Sequence, residues 1–332
     1  MNERKQFVVV GIPPMYRSVI GEDNLGRLTQ AHPRARVEIT DAPLRFAGLL
    51  PEADGVLVGP GFPLQATALR PDGRLRWVHS LPAGADAILT PDLVAAAHVA
   101  ITATKGPMAP MMAEHAALLM LALARDLPGI LRDQAAHRWG AAQGQRRVGQ
   151  LFGKTICVLG VGAVGGRLAG VCKIGFGMRV LGLARTRRDC PYVDRYIERD
   201  ELSAALGEAD VVALCLALTA ATEHIIDADA LEAMKPGALL INVARGRLVD
   251  EDALIGALRA GRLGGAGLDA TVVEPLPPES PLWTLPNVII TPHIAPARDR
   301  FNVQMADFWR ENIRRFAEGE PLLGAVDRQA GY

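Results

Sequence analysis

Residues 151–168, LFGKTICVLGVGAVGGRL, decide how this chain is read. Thr155 to Leu159 is a short apolar run rich in β-branched residues, which predicts a strand. Gly160, Gly162 and Gly165 follow at the spacing G-x-G-x-x-G, and Ala163, Val164 and Leu168 begin an apolar helical face. In such a turn one glycine makes the tight bend. The second lets a pyrophosphate approach the backbone, and the third lets helix pack on strand. The helix N-terminus offers unpaired N–H groups and partial positive charge to the phosphates. Three glycines alone are a weak signal; the strand before them and the helix after them make this a dinucleotide site.

Outward from this stretch, Met178 to Leu183 predicts the second strand of the same unit, and it ends in Ala184-Arg185-Thr186-Arg187-Arg188. An NAD site carries an acidic residue about 20 residues after the turn, on the ribose hydroxyls. Here that place holds Ala184 and arginines follow. A carboxylate repels a 2′-phosphate, whereas guanidinium groups bind one. The cofactor reading is therefore NADPH preferred, with NADH possible.

Further strands are predicted at Asp210–Leu216, Leu239–Val243, Ala266–Asp269 and Val288–Thr291, with helices between them. Their ends deliver Arg245, then Asp269 with Glu274 just beyond, then His293. Upstream, Phe7–Ile12, Arg36–Thr40, Asp54–Val58, Trp77–Leu81 and Val99–Thr102 read as strands too. Strands alternating with helices at this spacing indicate a parallel α/β sheet, whose ligands sit beyond the carboxyl ends of the strands. That makes Val58, Gly59 and Gly84 candidate substrate contacts. Pro110 to Arg125 is a long helix apolar nearly all round, the mark of a buried or interface helix. Asp126 to Gln150 reads as a surface connector with Trp139 as its aromatic anchor. A C-terminal helix over 298–318 carries Phe301, Met305, Phe308, Trp309, Ile313 and Phe316 on one broad face, and is expected to pack on the N-terminal elements.

The strand-end residues suit hydride transfer to a 2-oxo acid. The carbonyl oxygen needs a proton, and histidine is the natural donor near neutral pH. Glu274 on the other ring nitrogen of His293 would orient the ring and stabilise the imidazolium. Arg245 would bind the substrate carboxylate and polarise the carbonyl.

The chain resembles the D-isomer-specific 2-hydroxyacid dehydrogenases. The segments that carry the likeness are LFGKTICVLGVGAVGGRLA, LINVARGRLVDEDALIGAL, GAGLDATVVEPLPPESPLW, NVIITPHIA and MMAEHAALLMLALAR. The resemblance implies an α/β fold of two Rossmann-like domains with doubly wound parallel sheets, the cofactor domain inserted in the substrate domain. Boundaries are expected at 1–103 and 296–332 for the substrate domain and 104–295 for the dinucleotide-binding domain. It maps the family's Arg, Glu and His onto Arg245, Glu274 and His293, and the residue near the nicotinamide onto Asp269. Ala163, Val164, Leu216, Thr222, Val243, Ala244 and Ala295 join the expected cofactor contacts, and Trp283 the substrate rim. Homodimers through the helix at 110–125 are implied. The arginines and EPLPPESPLW look most like the NADPH-preferring glyoxylate/hydroxypyruvate reductase branch. Ala217 and Pro296 depart from the usual Pro and small residue at those places. A non-catalytic NAD(P)H-sensing protein of the same fold and phosphite oxidation are the alternative readings.

Composition agrees with such an enzyme. At 332 residues two domains are expected. Formal net charge is zero, which gives no reason to expect nucleic acid or an anionic membrane as partner. Cys157, Cys172, Cys190 and Cys215 make no C-x-x-C pair and, with seven histidines, show no metal-ligand spacing. The N-terminal apolar run is too short for a signal peptide, and the expected location is cytoplasmic.

Overall fold

The computed structural model describes residues 5–139, 148–187, 189–296 and 301–332. The chain divides into two compact units, the first built from 1–108 and 297–332 and the second from 109–296. Each carries its own parallel sheet.

In the first unit β1 (Gln6–Gly11), β2 (Ala35–Thr40), β3 (Gly55–Val58), β4 (Trp77–Ser80) and β5 (Ala100–Ala103) pair in the order β2-β1-β3-β4-β5. Every pairing is parallel. Helices α1 (Pro14–Ile20), α2 (Glu22–Thr29), α3 (Pro43–Leu49) and α4 (Pro91–Ala95) lie between the strands in sequence. The second unit begins with α5 (Ala109–Ala124) and α6 (Leu127–Ala135). Its strands are β6 (Thr155–Leu159), β7 (Arg179–Leu183), β8 (Arg195–Ile197), β9 (Val211–Leu214), β10 (Leu239–Asn242), β11 (Gly265–Leu268) and β12 (Val288–Ile290). They run parallel in the order β12-β11-β10-β9-β6-β7-β8. Its helices include α7 (Ala163–Gly170), α8 (Leu202–Glu208), α9 (Ala228–Ala233) and α10 (Glu251–Arg259). From β6 the chain winds first towards β8 and then across to β9, so strand order reverses between β6 and β9. Such a reversal opens a ligand crevice beyond the strand ends.

The apolar runs become strands because sheets covered on both faces need apolar residues at every position. All four residues of β3, β9 and β11 are buried. α10 shows how the helices are punctuated. The Asp250 carboxylate accepts the Ala253 N–H, Glu251 and Asp252 stand in the first turn, Arg259 in the last, and Gly261 ends it at φ 68.

α5 packs on β10, β11 and α7 of its own unit. Gly267 makes that contact close, since a Cβ there would lie 2.9 Å from Leu119 Cβ. Much of the helix's apolar surface is thus spent inside the unit. Leu118 and Leu121 stay exposed beside Leu127, Ile130 and Leu131 of α6. The connector expected at 126–150 therefore contains a helix. Asp126 caps it by accepting the Gly129 N–H, with proline in its first turn. Trp139 is 94% exposed and anchors nothing among the described residues. Residues 140–147 of that stretch, and Arg298, lie outside those described.

α11 (Phe301–Glu318) belongs to the first unit and buries Met305, Ala306, Trp309 and Ile313, while Phe316 stacks at 5.1 Å on Trp77. Under it lies a closed polar network. Trp77 Nε1 donates to Thr102 Oγ1 at 2.8 Å, and Trp309 Nε1 donates to Thr104 Oγ1 at 2.8 Å. His79, fully buried, sits between the two hydroxyls at 2.7 and 3.0 Å. The Thr104 hydroxyl gives its hydrogen to Ser80 O, so His79 Nε2 must donate to Thr104 and Nδ1 must accept from Thr102. Burial pushes His79 down to about 3, so the ring is neutral.

Candidate active site

The glycine turn lies at the strand reversal. Gly160 has φ 99, and a Cβ there would sit 2.6 Å from Leu216 N, at the end of β9. Gly165 lies so close beneath the turn that a Cβ would be 2.0 Å from Gly160 O and 3.0 Å from Val158 Cγ1. Gly162 differs from both: nothing lies within 4 Å of its Cβ position, and it is exposed at the N-terminus of α7. Two glycines therefore serve the chain's own packing and one leaves open space where N–H groups emerge. That arrangement fits a pyrophosphate. Ala163 is exposed and Val164 half-buried beside it.

Past β7, Arg185, Thr186 and Arg187 are exposed, and Arg188 lies outside the described residues. Arg187 forms an ion pair with Glu198, just past the edge strand β8. Reading residue types along β7 missed this carboxylate, because β8 is too short to announce itself.

At the end of β10, Asn242 is buried. Its Oδ1 accepts the Ala244 N–H at 3.0 Å and its Nδ2 donates to Arg245 O at 2.8 Å, which fixes the turn carrying Arg245. Gly246 follows, where a Cβ would lie 2.0 Å from Thr271 C. Only glycine lets the Arg245 loop and the loop after β11 meet this closely. In that second loop the Glu274 carboxylate accepts the Thr271 N–H at 3.1 Å through Oε1 and meets His293 Nδ1 at 2.8 Å through Oε2. An ionised carboxylate only accepts, so Nδ1 carries a hydrogen and Nε2 is left for chemistry. Both side chains remain about two-fifths exposed, at 43% and 39%.

His293 has φ 53, a left-handed conformation that a non-glycine residue holds only when its surroundings enforce it. The enforcing group is Asp269, 2% exposed. Its Oδ1 accepts from Thr291 Oγ1 at 2.6 Å and Ile294 N at 2.9 Å, and its Oδ2 accepts from Ala295 N at 2.9 Å. Burial pushes the Asp269 carboxyl up. The hydrogen bonds from Thr291, Ala295 and Ile294, with the His115 ring close by, outweigh that and hold it below the usual carboxylate range. Asp269, expected beside the cofactor, thus commits its oxygens to the loop that presents His293.

Among the other expected residues, Val243, Ala244 and Ala295 have enclosed side chains and can offer only main chain. Thr222 turns inward, its hydroxyl donating to Ala217 O at 2.7 Å while the Leu216 side chain is partly buried. Trp283 is 53% exposed, with Nε1 donating to Pro277 O at 2.9 Å. In the first unit the Val58 side chain is fully enclosed, and at Gly59 the N–H donates to Gly11 O at 3.0 Å while the carbonyl accepts from Phe62 N at 3.3 Å. Gly84 O accepts from Ser80 Oγ at 2.7 Å. Burial pushes Cys157, Cys172 and Cys215 up to about 12, which leaves their thiols protonated. No cluster of three or more potential metal ligands occurs among the described residues. No helix among them is long and apolar enough to cross a membrane.

Residues 117–295 match the family model described as D-isomer specific 2-hydroxyacid dehydrogenase, NAD binding domain. The chain belongs to this family. The D-isomer specific 2-hydroxyacid dehydrogenases are oxidoreductases that use a nicotinamide cofactor, and the open turn at Gly162 lies within the matched domain. The glyoxylate/hydroxypyruvate reductase B of Pectobacterium atrosepticum is 35% identical over 282 residues, 84% of this chain and 87% of that protein. A dehydrogenase of this family from Xanthobacter autotrophicus Py2, solved with NADPH and MES, is 33% identical. It superposes with a TM-score of 0.79 over 99% of this chain and 100% of that one. The NADPH-dependent glyoxylate/hydroxypyruvate reductase of Sinorhizobium meliloti, solved with NADP and sulfate, is 27% identical with a TM-score of 0.83, over 99% and 100% of the two chains.

Proposed function

We propose that this dehydrogenase reduces a small 2-oxo acid, glyoxylate or hydroxypyruvate, to the 2-hydroxy acid with NADPH. The observation that carries the reading is the 2.8 Å His293–Glu274 pair, borne on the same set of strand ends as the glycine turn.

Gly160–Gly165, with Leu216, Thr222, Val243, Ala244 and Ala295, would hold NADPH, which when bound would supply the hydride for the substrate carbonyl carbon. Arg245 binds the substrate carboxylate with its fork and polarises the carbonyl. His293 Nε2 gives a proton to the carbonyl oxygen as charge develops there. Glu274 holds Nδ1–H throughout, so after the transfer the ring rests as its neutral Nδ1–H tautomer. Main chain at Gly59 and Gly84 and the exposed Trp283 are the proposed substrate contacts. The preference for NADPH is assigned to Arg185, Thr186 and Arg187, with Ala184 in place of an acid. The Xanthobacter and Sinorhizobium neighbours, solved with NADPH and with NADP, support it.

The exposed Leu118, Leu121, Leu127, Ile130 and Leu131 form an apolar face on α5 and α6 suited to a second copy of the chain, which supports a homodimer. Turnover of glyoxylate, hydroxypyruvate and pyruvate with NADPH and with NADH tests the activity. Consumption of NADPH with formation of the 2-hydroxy acid is expected. Failure of every 2-oxo acid would refute the proposal.

A further inference from the structure

The histidine on α5 has a place in this site that its helix does not explain. His115 Nε2 lies 2.9 Å from Thr291 Oγ1 and 3.4 Å from Asp269 Oδ1, with its side chain 12% exposed. Thr291 has a single hydroxyl hydrogen, and the 2.6 Å bond to Asp269 uses it. His115 Nε2 must therefore carry a hydrogen and donate it to Thr291. A chain of donors results, running from α5 through Thr291 into the Asp269 carboxylate. That carboxylate in turn holds the Ile294 and Ala295 N–H groups, and the His293 N–H closes on Thr291 O at 2.9 Å. His293 is strained at φ 53 between these anchors. Losing the donor from α5 loosens the hydroxyl and the carboxylate together, and both hold the loop.

We propose that His115 is a positioning residue for His293, acting through Thr291 and Asp269. The proposal rests on the reading of His293 as the proton donor. A histidine that merely fills the α5 packing would matter to stability alone. Two variants separate these cases. His115→Leu removes the donor, and His115→Gln restores an N–H at similar reach. In His115→Leu, kcat for glyoxylate reduction is expected to fall about tenfold to a hundredfold, the scale of a misplaced catalytic group. NADPH affinity should change little. Amide exchange at Ile294 and Ala295 should speed up. His115→Gln should recover both readouts. Unchanged kcat in His115→Leu, or equal loss in both variants, would overturn the proposal. If the wild-type protein reduces no 2-oxo acid, the proposed function fails instead. Amide exchange needs no turnover, and unchanged exchange at Ile294 and Ala295 in His115→Leu would then overturn the positioning role.

Discussion

Alanine at each glycine of the turn should separate folding from cofactor binding. At Gly162 a methyl meets nothing within 4 Å, and φ is −95, outside the left-handed region that favours glycine. Stability should change by no more than about 0.5 kcal/mol, the scale of an unconstrained surface site. The same methyl would occupy the space through which a phosphate reaches the α7 N–H groups. Losing one charge-assisted hydrogen bond there, about 1.5–3 kcal/mol, weakens NADPH roughly tenfold to a hundredfold. At Gly165 the methyl would be 2.0 Å from Gly160 O, which is backbone and cannot swing aside. Overpacking of this kind costs about 1–3 kcal/mol. Gly160→Ala combines φ 99 with a 2.6 Å approach to Leu216 N and should be at least as harmful. Urea unfolding and NADPH fluorescence titration measure the two effects. Destabilisation of Gly162→Ala equal to that of Gly165→Ala, with NADPH affinity intact, would refute this division of roles.

His79 predicts a pH dependence of stability. Its folded pKa of about 3 lies below the ordinary 6.5 of the unfolded chain, so the native ring refuses a proton that the unfolded ring takes. Stability from this group is complete above 6.5 and falls as pH drops towards 3, by about 2 kcal/mol at pH 5. Urea unfolding at pH 8 and pH 5 measures it, and the difference should shrink in His79→Gln. Replacing Arg185 and Arg187 by serine should weaken NADPH more than NADH. Glu198→Gln, which frees Arg187 from its carboxylate partner, should strengthen NADPH severalfold, as read by direct titration. Leu118→Glu with Leu131→Glu should yield monomers by light scattering if the α5–α6 face joins two copies.

The strand ends were legible because sheets covered on both faces write themselves as apolar runs, and glycine and proline mark where they stop. Arg245, Glu274 and His293 could be placed at one end of one sheet on that basis, and the His293–Glu274 contact follows from it. What stayed hidden depends on tertiary partners. His115 meets Thr291 across 176 residues of sequence. Asn242 reads as the last polar residue of a strand, yet its amide pins the Arg245 turn. β8 has three residues, too few for a pattern, and with it the Glu198 partner of Arg187 went unseen. α6 did carry a signal, Asp126 before Leu-Pro, which glycine and arginine nearby obscured. Trp139 shows the opposite error, since residue type suggests burial and the chain leaves it in solvent.

The central claim is that His293, aligned by Glu274, protonates the carbonyl oxygen of a 2-oxo acid. The most direct test is glyoxylate reduction by NADPH in the wild-type protein and in His293→Asn, with NADPH affinity measured alongside. The account predicts a fall in kcat of about 10²–10⁴ with affinity for NADPH retained. A His293→Asn protein that binds NADPH and reduces glyoxylate at the wild-type rate would contradict it.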